Sequence, residues 1–92
     1  MSNRIIVKEK HIDEALKILK DQILRRMRQH GSESFSSKHE VLGIITEEYW
    51  ELIEAVKSDD EDRFLEELED IAVPCVFWIA SKNQNGESRK FN

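Results

Sequence analysis

Six polar residues, Lys57 to Asp62 (KSDDED), separate two long stretches in which apolar side chains recur every three or four positions. A connection this short makes two consecutive helices run antiparallel and pack side by side as a helical hairpin. The stretch before it predicts a helix from Lys38 to about Lys57, opened by Ser37 and Glu40 at the S-x-x-E spacing of a capping box. The stretch after it predicts a helix capped by Asp59 or Asp60 and running to about Lys82, with further acids favouring the positive end of its dipole. Pro74 lies inside that helix and takes away one backbone donor, so a kink or a break into two shorter helices is expected there.

Upstream, Ile12, Leu16, Leu19, Ile23 and Met27 recur at spacings of four and three and predict a helix over about residues 9–29, ended by Gly31. Its basic residues, Lys17, Lys20, Arg25, Arg26 and Arg28, are scattered around it and read as a solvated surface. The loop GSESFSS, residues 31–37, carries one large apolar side chain, Phe35, either a hydrophobic plug or a ligand-facing aromatic. The tail NQNGESRKFN, residues 83–92, is polar and expected to be mobile. With one proline, three glycines and few β-type alternations, the reading is all-α, a single domain over residues 1–92. A chain of 92 residues is near the size where one core only marginally offsets the cost of ordering. The expected architecture is therefore an N-terminal helix plus the hairpin, with a four-helix-bundle core completed by assembly into a homodimer or homotetramer.

A formal charge of -5 argues against nucleic-acid polymers as partners, because that binding depends on Lys and Arg neutralising phosphates. The single cysteine, Cys75, has no internal partner for a disulfide, and the apolar run IAVPCVFWIA is too short to cross a bilayer. The N-terminal RIIV is much shorter than a secretory signal requires. A cytoplasmic protein with no membrane partner is expected.

The acids do not all belong to solvated faces. With Glu48 at zero and about 100° per residue, the apolar arc of the second helix spans roughly -40° to +140° and contains Glu48. Glu51 sits at its edge near -60°, whereas Glu47 and Glu54 fall further out. With Glu67 at zero on the third helix, Pro74, Trp78, Ile71, Phe64, Cys75, Leu68 and Ile79 make an arc of roughly -20° to +120° that encloses Glu67. Asp70 lies near -60°, matching Glu51, and Glu66 and Glu69 point outward. Measured from the turn, Glu51 and Glu67 are at nearly equal distances, as are Glu48 and Asp70 one turn further on. Four carboxylates are expected to converge.

Like charges buried together are tolerable only when protonated or neutralised, because desolvation and repulsion add. All-oxygen ligation without nearby cysteine or histidine favours Mg²⁺, with Mn²⁺ as the alternative, over zinc or copper. A di-iron bundle would need Glu-x-x-His pairs, and His11, His30 and His39 complete none.

These residues resemble the MazG-like all-α nucleoside triphosphate pyrophosphohydrolases, whose signature is E-E-x-x-E followed by E-x-x-D. Here EEYWE, Glu47 to Glu51, is followed after fifteen residues by ELED, Glu67 to Asp70. The resemblance covers about residues 36–80, and SKHE at Ser37 to Glu40 is similar to the S-x-H-E opening of one subgroup. It implies that Glu48, Glu51, Glu67 and Asp70 bind Mg²⁺ and that the chain cleaves a nucleoside triphosphate to the monophosphate and pyrophosphate. Glu47 matches the first acid of the signature and is the candidate catalytic residue. Its role is a water-activating base, an added ligand, or a support for the ligands.

Trp78, beside Glu67, is a candidate for stacking on a base, with burial in the core as its alternative. Lys82 loosely echoes the basic residues that relatives place after this helix for phosphate contact, as do Arg89 and Lys90. His39 lies opposite Glu48 and reads as a cap or partner contact, and Trp50 faces away from the acids as a subunit contact would. Glu69, where many relatives have glycine, and Pro74 depart from the family pattern. A second reading is a non-catalytic helical interaction module holding a structural metal.

Overall fold

The computed structural model describes residues 3–84, which contain three α-helices and no strand: α1 Glu9–His30, α2 Lys38–Lys57 and α3 Glu61–Gln84. Asn83 and Gln84, the first two residues of the expected mobile tail, belong to α3. The expectation of mobility from residue 85 onward lies outside the described residues, as do Arg89 and Lys90. The chain divides into two compact units, residues 1–31 and 32–92.

The first unit is α1. The Lys8 backbone N–H donates to His11 Nδ1 at 3.4 Å at its start. At its end Gly31 turns to φ 91° and donates to the Met27 carbonyl at 2.9 Å. A side chain there would be strained, which is why the helix stops at this glycine. None of the α1 residues is buried.

The second unit is the hairpin. Ser37 Oγ accepts from the Glu40 backbone N–H at 3.3 Å, as the S-x-x-E spacing predicts. The reciprocal half of the box differs: the Glu40 carboxylate reaches one residue further back and accepts from Ser36, at 3.2 Å from its N–H and 3.1 Å from its hydroxyl. The turn occupies Ser58 to Asp60. Asp59 adopts φ 56°, a left-handed conformation that a short polar side chain tolerates better than most, and Asp60 caps α3 by accepting from the Arg63 N–H at 3.1 Å.

Pro74 does not break α3, which continues to Gln84. Its ring is buried and supplies no N–H toward the Asp70 carbonyl one turn earlier.

The interface between α2 and α3 buries Val41, Ala55, Val73 and Pro74, with Ala55 only 1% exposed. The small Ala55 allows close approach of the two helices near the turn. The buried sector is narrower than the predicted arcs and is rotated on α3. Val73 and Phe77, near -120° and -80° and outside that predicted arc, are buried and half-buried, whereas Leu68 and Ile79, inside it near +100° and +120°, are exposed. On α2 the same edge, Leu42, Tyr49 and Val56 near +120°, +100° and +80°, is exposed as well. Both sets of exposed apolar side chains lie on the positive-angle side of their helices, clear of the interface.

Candidate metal centre

Three of the predicted acids meet. Glu48 from α2 and Glu67 and Asp70 from α3 each bring a carboxylate oxygen within 4.8 Å of the others. Glu48 lies between the buried Val41 and Ala55 on the face of α2, Glu67 lies on the buried face of α3, and the i, i+3 spacing puts Asp70 one turn beyond Glu67. Glu67 is the one buried charged residue among those described, and Glu48 and Asp70 are half-buried.

The electrostatics follow from this enclosure. Burial pushes the Glu67 carboxyl up to about 7, assisted by a hydrogen bond with Glu48 and by the charges of Glu51, Asp70 and Glu48. Two carboxyls hydrogen-bond one another only if a proton lies between them, so without a cation this pair holds a proton well above the usual carboxylate range. The Glu67 Oε2 atom is buried and takes no hydrogen bond, and the Oε2 of Glu48 is buried too. A buried acceptor with no donor is costly unless something positive faces it. The donor set, three carboxylates and nothing softer, suits a hard divalent cation.

The remaining predicted residues are placed differently. Glu51 is exposed and is not part of the three-residue group, though its charge acts on Glu67. Its position near -60° puts it on the rim of the α2 face rather than across from Glu67. Glu47 is exposed, as are His39 and Trp50, and Trp50 lies 6.3 Å from the Tyr49 ring. Trp78 is half-buried, and Lys82 sets its Nζ 4.7 Å from the centre of the Trp78 ring.

The loop aromatic also has a place. Phe35 meets the Phe77 ring edge to face at 5.8 Å and tilts against Trp78 at 6.4 Å. Phe77 was not legible as a contributor, because periodicity put it outside the apolar arc. The one available signal was the adjacent aromatic pair Phe77 and Trp78, near -80° and +20°, which no single packed face accounts for.

Residues 36–89 match the MazG nucleotide pyrophosphohydrolase domain, over half of the chain, and the chain belongs to that family. No curated protein and no solved structure matches it significantly. Within the described residues, no helix is long and apolar enough to cross a membrane.

Proposed function

We propose that this protein is a divalent-metal-dependent pyrophosphohydrolase that cleaves a nucleoside triphosphate, ribo or deoxy, between its α and β phosphates. The observation that carries the reading is the buried Glu67 carboxyl, set against Glu48 and beside Asp70 with one oxygen lacking any donor. Membership of the MazG family supports the reaction class.

In this reading Glu48, Glu67 and Asp70 hold Mg²⁺, with Mn²⁺ as a substitute, and Glu51 joins them from the rim. When bound, the cation supplies charge compensation for the non-bridging phosphate oxygens and orients the attacking water. The chain's own contribution is to keep those carboxylates together and partly dry. It also offers Glu47 as the acceptor of the water's proton, from the solvent side of α2. Trp78 and Lys82 contact the substrate, and the acidic site admits it as a magnesium complex.

The exposed apolar side chains, Leu42, Tyr49 and Val56 on α2 and Leu68 and Ile79 on α3, support pairing of hairpins from two copies into a four-helix core. The assembly is a homodimer or homotetramer, active in the cytoplasm.

The decisive experiment is a screen of the common and oxidised nucleoside triphosphates for pyrophosphate release with Mg²⁺ or Mn²⁺. Release from at least one is expected, and silence across the set would remove the enzyme reading in favour of a helical module with a structural metal. Glu67→Gln separates the same two cases. An enzyme releases pyrophosphate before the substitution and none after it while staying folded without the cation, whereas a module held together by the metal releases none in either form and unfolds when the cation is removed.

A further inference from the structure

We propose that Phe35, Phe77 and Trp78 form a braced aromatic platform for the planar base of a nucleotide, with Lys82 as a displaceable cover of the Trp78 ring. The inference deepens the pyrophosphohydrolase reading and rests on it for the identity of the ligand.

Three observations converge on this end of the hairpin. First, an exposed lysine reaches to 4.7 Å above the Trp78 ring, so that face of the indole is open to groups arriving from solvent rather than sealed by the core. Second, the ring is held from other directions: Phe35 tilts against it by 38° with centres 6.4 Å apart, and Phe77 anchors Phe35 edge to face at 80°. A ring fixed by two others loses little freedom when a base stacks on it.

Third, the spacing suits a nucleotide. Trp78 lies two turns beyond Asp70 on α3, roughly 12 Å along the axis. An extended nucleoside triphosphate spans a distance of that order between its phosphates and its base. Lys82, one turn past Trp78 on the side away from Asp70, rests on the ring face that the base takes and moves aside when it does. Stacking is tolerant of base identity, because every base offers a π face.

The test uses the full chain carrying Trp50→Phe, so that Trp78 is the only tryptophan reporting. Nucleoside 5′-monophosphates of the four DNA bases are titrated without metal, and ribose 5-phosphate serves as the baseless control. At least one monophosphate is expected to quench Trp78 saturably while ribose 5-phosphate does not. Phe35→Leu should weaken that binding about tenfold. It should leave the affinity for magnesium tripolyphosphate, which has no base, unchanged by calorimetry. Lys82→Met, which removes the charged cover and leaves the three rings in place, should keep the saturable quenching by that monophosphate.

No quenching by any nucleotide, or equal quenching by ribose 5-phosphate, would overturn the proposal. Quenching without pyrophosphate release would leave the platform standing and remove the hydrolase reading. Pyrophosphate release with a KM untouched by both Trp78→Leu and Phe35→Leu would do the reverse.

Discussion

Glu48 and Glu67 share a hydrogen bond across the α2–α3 interface although both are acids, and Glu67 is buried where they meet. The contact holds only with a proton or a cation between them, and this makes the folded state sensitive to both pH and divalent ions.

Without metal, stability should fall as pH rises. The folded-state value of Glu67 is raised from 4.5 to about 7, so the folded chain binds the proton more tightly than the unfolded chain does. Stabilisation is fully present below the unfolded value and is lost as pH climbs through about 7. Melting curves in EDTA at pH 5, 6, 7 and 8 should show a Tm that falls most steeply between the unfolded and folded values, from pH 5 to 7, and levels off by pH 8. A Tm that rises over this range would remove the shared proton from the account.

Glu67→Gln should separate folding from ion binding. An amide keeps the hydrogen bond to Glu48 without a buried charge, so the metal-free variant at pH 8 should melt several °C above the unmodified protein, about what 1 kcal/mol gives in a domain this size. The rise in Tm caused by 5 mM Mg²⁺, as an order-of-magnitude working concentration, should disappear with the ligand. Asp70→Asn should lose the same Mg²⁺ response with a smaller metal-free gain, because Asp70 is less enclosed. Calorimetry that finds equal Mg²⁺ uptake in all three proteins would place the ion elsewhere.

The exposed apolar side chains of the hairpin should control assembly. Tyr49→Lys with Ile79→Lys puts two charges on a surface where both side chains are already exposed, at 54% and 41%, so the helices themselves should be little affected. Sedimentation velocity should show the unmodified chain as a dimer or larger and the double variant shifted toward monomer. Identical sedimentation of the two would show that these side chains do not form an interface between copies.

Ser37→Ala should cost about 1 kcal/mol, since the hydroxyl satisfies the Glu40 N–H at the start of α2. Ser36→Ala should cost less, because the Glu40 carboxylate retains the Ser36 backbone N–H when the hydroxyl is gone. Chemical denaturation of both variants checks the order, and a larger loss for Ser36 would contradict the geometry.

Sequence alone determined the ends of α1 and α2 and the start of α3, because these depend on near neighbours, whereas α3 runs on through Pro74 to Gln84. Ser37 three positions before Glu40, Gly31 after Met27 and the acids around Asp60 each act within one turn of chain. The family signature likewise lies along single helices, so Glu47 to Glu51 and Glu67 to Asp70 were legible before any packing was known.

What only the tertiary structure decided was which part of each apolar arc is used. Two helices in contact cover a narrower sector than the arc that periodicity defines. Val73 and Phe77 were thereby drawn inward, Leu68 and Ile79 were left outside, and Glu51 was left at the rim while Glu48 crossed to Glu67. Phe35 met Phe77 and Trp78 for the same reason: contacts between residues more than forty positions apart depend on how the hairpin closes, and local spacing carries no record of it.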